Sequence, residues 1–150
     1  MECLSCLSLQ GIQRISPGPF IYEGNYWVVD HAYPTSLKGW LVIVTWRHVE
    51  ALHDLTHEEF KELADIQYRL AKVLGSSSAI EKEYMMCFAE AERFHHIHIH
   101  FVAKPRDLPH EAKGPRIFSC LNVDLLSAVS PDEIKRLSEE LKETLDKSNL

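Results

Sequence analysis

No apolar run in this chain of 150 residues approaches the length of about eighteen that a bilayer-spanning helix needs. The N-terminus has neither a basic start nor a long apolar stretch, so it does not read as a secretory signal. The expectation is a cytoplasmic protein without a membrane partner. Positive charge is also scarce. Sixteen Lys and Arg against 22 Asp and Glu leave a net charge of −6 with His neutral, which argues against a general nucleic-acid surface but leaves room for a local phosphate site. The expected ligand is therefore small. Of only four cysteines, Cys3 and Cys6 alone stand at a short spacing, which in a reducing compartment points to metal or redox work rather than a structural bridge. Cys87, inside the apolar run from Tyr84 to Ala89, and Cys120 are expected to be inert thiols. Internal repeats and long low-complexity tracts are missing, and the length suits one domain able to bury a core.

Histidine, by contrast, is concentrated. His95-His96-Ile97-His98-Ile99-His100-Phe101-Val102 alternates imidazole with apolar side chains, and residues two apart on a strand share a face. His96, His98 and His100 are thus expected on one side, with Ile97, Ile99 and Phe101 directed into a core. A terminal metal-binding tag would not be interleaved with such residues. His95 falls on the opposite side and is left out of the site.

The rest of the chain reads as strands and two helices. Residues 20–22 and 26–29 predict a hairpin rich in aromatic and β-branched side chains, and Trp40 to Thr45 a third strand. Asp30 to Lys38 predicts a proline-bearing loop with room for one helical turn. Thr56 and Glu59 are spaced as a capping box, opening a helix whose Phe60, Leu63, Ile66, Leu70, Val73 and Leu74 form one apolar stripe until Gly75 ends it. Residues 83–89 and 95–102 predict two antiparallel strands. Asp107 to Lys113 reads as a surface segment that Ile117 and Phe118 anchor back to the domain, bordering the site. Ser130-Pro131-Asp132-Glu133 starts a last helix running to about Leu145, whose Ile134, Leu137, Leu141 and Leu145 cover either the domain or a partner subunit.

His96-Ile97-His98-Ile99-His100-Phe101-Val102 resembles the signature of the histidine triad family of nucleotide hydrolases and transferases. The stretch from Gly39 through Trp40, Arg47 and His48 to Val49 resembles that family's glycine, apolar strand and basic-His turn, and with Pro105-Arg106 the resemblance covers most of residues 1–106. The fold it implies is α+β. It has an antiparallel sheet of about five strands, one long helix packed on the sheet and a C-terminal helix, with a core over 1–106 and an extension over 107–150. The activity it implies is hydrolysis or transfer at the α-phosphate of a nucleotide ester, anhydride or amidate, with adenylyl groups favoured, through a nucleotidyl-histidine. Imidazole suits that chemistry because its neutral nitrogen is nucleophilic near pH 7 and its phosphoryl adduct stays reactive toward water.

By the same resemblance His98 is the nucleophile and His100 contacts the phosphate or leaving group. Asp30 matches the acid that accepts from the ribose hydroxyls, although an aspartate opening a turn reads equally well. Trp40 and the pair Glu92-Arg93 depart from the family pattern. Trp40 stands where many members carry histidine, and Glu92-Arg93 replace a polar pair before the triad; Arg93 is the candidate cation there, against the plainer reading of an exposed turn arginine. Cys3 and Cys6 by themselves leave redox-active and incidental readings open. In a zinc-containing subset of the family, including the galactose-1-phosphate uridylyltransferase relatives, the matching positions Cys3, Cys6, His48 and His96 bind zinc in a closed, structural site. The resemblance also implies a homodimer. The alternative function is a non-catalytic nucleotide-binding sensor or interaction module.

Overall fold

The computed structural model describes residues 2–148. Five strands, β1 (Tyr22–Glu23), β2 (Trp27–His31), β3 (Trp40–Thr45), β4 (Ile80–Met86) and β5 (His98–Pro105), form one antiparallel sheet. Their order across it is β1-β2-β3-β5-β4. The sheet carries three helices, α1 (Leu4–Leu9), α2 (His57–Gly75) and α3 (Pro131–Lys147). The α+β architecture read from the sequence is the one observed.

Alternation assigns each strand residue to one of two layers. Trp27, Val29, Leu41, Ile43, Ile99, Phe101 and Ala103 pack under α2, whose buried stripe is Leu63, Ile66, Leu70 and Leu74. Phe60, at the first turn of that helix, is instead 42% exposed. The capping box forms as expected: Glu59 N–H donates to Thr56 Oγ1 at 3.2 Å and Thr56 N–H to Glu59 Oε2 at 2.8 Å. Trp27 locks the helix start to the sheet by donating its indole N–H to the Glu59 carbonyl at 2.7 Å. α3 is capped by Ser130, and its Leu141 and Leu145 enter the same core, so this helix covers the chain's own domain.

The opposite face carries Trp40 and Val102. These are covered by Leu108, Ala112 and Ile117 from the segment after β5, which runs through short 3-10 turns at His110–Ala112 and Gly114–Cys120. Ile117 is fully buried, as its anchoring role required.

The bounds of four strands differ from the sequence reading, among them β2, which runs on through His31 and takes Asp30 out of the loop expected over 30–38. The regular ladder of β1 is limited to Tyr22–Glu23, and β4 and β5 lie at 80–86 and 98–105 rather than 83–89 and 95–102. Positive φ at Ala89 (53°) and Arg93 (68°) takes the chain out of extended geometry there. The stretch 87–97 therefore becomes an irregular connection that packs on the N-terminus, where Leu4 N–H donates to the Arg93 carbonyl at 3.0 Å. α1 lies in a part of the sequence with no helical periodicity to announce it.

Candidate active site and metal centre

Register decides which side chains meet. Val42 pairs with Asp30 on one side and His100 on the other, and His100 with Met86, so these residues form a row across the sheet on the face opposite α2. Val28, Val44 and His98 form the adjacent row. With strands about 4.8 Å apart, Asp30 and His100 lie about 10 Å from each other along their row. Above it opens a cavity of about 280 Å³ whose lining includes Asp30, Val42, His98, His100, Tyr33 and Phe118. Ser5, Ser8 and Leu9 of α1 supply part of its wall. Among the described residues the charged ones in the lining are Asp30 and Glu90, with no lysine or arginine beside them to meet an anion.

The imidazoles of His98 and His100 sit 4.9 Å apart, centroid to centroid, at 78°. His98 Nδ1–H donates to the His96 carbonyl at 2.8 Å. A neutral imidazole with its proton on Nδ1 carries its lone pair on Nε2. Burial pushes His98 below the ordinary histidine range, against the pull of that carbonyl, and burial with the neighbouring His98 takes His100 down to about 4. Both rings are thus neutral near pH 7, the state in which imidazole is a nucleophile.

Asp30 is where the row places it, but it already has a partner. Arg14 Nη1 donates to Asp30 Oδ2 at 2.6 Å and Nη2 to Oδ1 at 3.1 Å, while His31 N–H also reaches Oδ1 at 3.1 Å. Burial raises the Asp30 carboxyl, and the guanidinium opposes the rise. Arg14 follows no motif and escaped the sequence reading. Arg93 is not brought to the cavity: its Nε donates to the Glu2 carbonyl at 3.3 Å, bracing the N-terminal segment.

The first histidine of the triad turns away from the other two. The ladder of β5 begins only at His98, and the bend at His96 directs that ring toward α1. There Cys3, Cys6, His48 and His96 place their ligand atoms within 4.8 Å of one another. Sγ to Nδ1 distances are 3.7 Å (Cys3–His96), 3.4 Å (Cys6–His48) and 3.5 Å (Cys6–His96). Tetrahedral zinc with bonds of about 2.3 Å to sulfur and about 2.05 Å to nitrogen requires sulfur and nitrogen about 3.6 Å apart. The donor set fits that ion.

The groups behind these ligands fit as well. His96 Nε2–H donates to the Thr45 carbonyl at 2.8 Å, and His48 Nε2 lies 2.9 Å from Glu50 Oε1. Each bond places the ring proton on Nε2 and frees Nδ1 for a metal. Burial and the adjacent Cys3 push the Cys6 thiol up to about 11, so a cation beside it is what favours its thiolate form.

This sheet, with α2 packed on one face and the paired imidazoles of β5 on the other, defines a histidine triad fold. A family model described as "Scavenger mRNA decapping enzyme C-term binding" matches residues 7–114, and the chain belongs to that family. Among solved structures, a Zn-bound histidine triad family protein from Mycobacterium smegmatis superposes with a TM-score of 0.66 at 20% identity, over 96% of this chain and 95% of that one. A histidine triad protein from Bradyrhizobium japonicum gives 0.68 at 14% identity, over 85% and 90%. A HIT family hydrolase from Legionella pneumophila gives 0.53 at 18%, over 77% and 99%. At these identities the likeness is one of fold. A comparison with curated proteins finds no match.

Proposed function

We propose that the cavity binds a nucleoside 5′-phosphate derivative and that His98 transfers its nucleotidyl group to water or a second acceptor. The observation that carries this reading is the Nδ1–H bond from His98 to the His96 carbonyl at 2.8 Å, which leaves the Nε2 lone pair of a neutral imidazole for phosphorus. Nε2 attacks the α-phosphorus, a phosphorus–nitrogen bond forms, and the bond to the leaving group breaks with its electron pair going to that group. The adduct is a phosphorylated imidazolium whose remaining N–H stays on the His96 carbonyl. Water then attacks phosphorus and loses a proton to solvent as the phosphorus–nitrogen bond breaks, its electron pair returning to Nε2 and restoring neutral His98.

The other residues position the ligand. A nucleotide laid across Val42 spans from Asp30, at the ribose, to His98 and His100, at the phosphate. Asp30, which accepts from Arg14 and His31, is the carboxylate on this row for a ribose hydroxyl. Among the described residues the lining has no lysine or arginine, so neutral donors such as His100 are what remain to meet the phosphate oxygens.

Cys3, Cys6, His48 and His96 would hold a structural zinc. Four protein ligands close the tetrahedron, so such a site provides cross-linking rather than an activated water. It would fasten α1, a wall of the cavity, to the strand bearing His98.

The test is to quench the zinc-loaded protein rapidly during turnover of diadenosine polyphosphates and adenosine phosphoramidates. Mass spectrometry should find an acid-labile AMP adduct on His98 that His98→Ala lacks. AMP binding without any adduct, under conditions where adduct formation outruns its hydrolysis, would establish the sensor reading instead.

A further inference from the structure

Trp40 stands where many members of the family carry histidine, and it is fully buried against the triad. Its indole N–H donates to His100 Nδ1 at 3.1 Å, with the two rings edge to face at 5.8 Å. Phe118 closes on both, at 5.5 Å from Trp40 and 5.1 Å from His100. An indole nitrogen is a donor only. The His100 nitrogen receiving that hydrogen must therefore present a lone pair.

We propose that Trp40 is a positioning residue that fixes His100 as its Nε2–H tautomer, so that the group leaving His98's phosphorus meets a neutral N–H donor and not an imidazolium. The proposal rests on the nucleotidyl-transfer reading and extends it to a choice of substrate. Protonating His100 would set two N–H groups against each other at Nδ1, and the buried aromatic surround of Trp40 and Phe118 provides no replacement acceptor. The titratable groups sharing the cavity are His98, His31, Asp30, Glu90 and Tyr33. Those two acids contribute negative charge to the lining, yet burial still holds His100 down at about 4.

The chemical consequence concerns the leaving group. A neutral imidazole N–H stabilises developing negative charge by hydrogen bonding, but it cannot surrender its proton near neutral pH. The departing oxygen keeps the electron pair of its broken bond to phosphorus and leaves as an anion. Groups whose conjugate acids are strong, such as phosphate, pyrophosphate or a carboxylate, satisfy that requirement. Alkoxides and amines need a proton that this His100 does not supply. The site is accordingly built for nucleotidyl anhydrides and activated esters over alkyl esters and amidates.

Two measurements on the zinc-loaded protein test this, one without turnover. In long-range ¹H–¹⁵N spectra, with His100 assigned by its loss in His100→Gln, the wild-type ring should show the Nε2–H tautomer and hold it down to pH 5.5. Trp40→Phe should give a mixture of tautomers and a ring that gains a proton within that range. Phe118→Leu, which loosens the packing but spares the indole N–H, should leave the tautomer as it is. An Nδ1–H or protonated His100 in the wild-type protein overturns the proposal, whether or not Trp40→Phe folds.

The second measurement uses adenosine 5′-aryl phosphates of graded phenol acidity. Wild-type kcat/KM for adduct formation should fall steeply as the phenol weakens, with anhydrides outpacing phosphoramidates at least tenfold, and Trp40→Phe should lower the anhydride rate about tenfold, the equivalent of one neutral hydrogen bond. A flat dependence on leaving group refutes it. A missing His98 adduct alongside the expected His100 tautomer would instead condemn the transfer mechanism and leave the assignment at Trp40 intact.

Discussion

Replacing Glu59 by glutamine isolates the charge that ties the exit of β3 to the start of α2. Arg47, the residue before the metal-site His48, donates to Glu59 Oε1 through Nε at 2.6 Å and to Oε2 through Nη2 at 2.9 Å. Glu59 itself is almost inaccessible, its side chain 4% exposed, whereas that of Arg47 is 49% exposed. The guanidinium bond, with help from Thr56 and against the cost of burial, holds the Glu59 carboxyl at about 2 against an ordinary 4.5. At about 1.4 kcal/mol per pKa unit the full difference approaches about 3.4 kcal/mol. Because solvent reaches the guanidinium and screens the pair, about 1.5 kcal/mol is the expected stabilisation. Glutamine keeps an oxygen to accept from Thr56 N–H, so the helix cap survives and the loss reports the ion pair.

The sign of the pH dependence follows from a lowered folded-state pKa. The stabilisation is fully present above the unfolded value near 4.5 and disappears as the pH falls through about 2. Urea unfolding of wild type and Glu59→Gln, both stripped of metal because thiol and imidazole ligands also take up protons in acid, should show the variant less stable at pH 7 by about 1.5 kcal/mol. By linkage most of that gap should be gone at pH 3.5. Equal stabilities at pH 7, or a gap indifferent to acid, would show that Arg47 and Glu59 are an ordinary exposed pair.

Further outcomes follow from the site. The protein purified without chelator should carry about one zinc per chain by elemental analysis, and Glu50→Ala should weaken zinc about tenfold or more in competition with a chromophoric chelator; no bound zinc refutes the metal assignment. Stripping the metal should weaken AMP binding in calorimetry, since α1 has only six residues and cannot persist as an isolated helix; an unchanged affinity would show that the cavity wall stands without the clamp. Asp30→Ala should cost AMP more affinity than 2′-deoxy-AMP, and equal losses would mean that Asp30 serves only to hold Arg14. His98→Ala should abolish nucleotidyl transfer while retaining AMP and zinc, so wild-type turnover by this variant excludes the covalent route.

Much of this protein is decided by local patterns. Strict alternation after His98 sends Ile99 and Phe101 under α2 and turns His98 and His100 to the other face, because successive strand side chains point oppositely whatever the partner strand. Thr56 with Glu59, and Ser130 with Pro131, start helices where written, since a cap needs only its own first turn. Strand ends were less legible: the break after Met86 depends on positive φ at Ala89 and Arg93, residues with no intrinsic demand for it, and on the N-terminus packed against that stretch.

Which distant side chains meet was legible only where the family resemblance supplied the set, as at Cys3, Cys6, His48 and His96, and not from periodicity. The triad read as three imidazoles in register, yet the bend at His96 gives one ring to Cys3 and Cys6 and two to the cavity. Arg14 reaches Asp30 and Trp40 reaches His100 across 16 and 60 residues, and no spacing rule announces either bond. Periodicity is a property of backbone geometry repeated residue by residue, so the sequence by itself determined the centres of the strands, α2 and α3, and the shared face of His98 and His100. Partnership comes from register between strands and from packing of the segments that cover the sheet, and only the tertiary structure decided that Trp40 lends its N–H to His100 and that α1 walls the cavity.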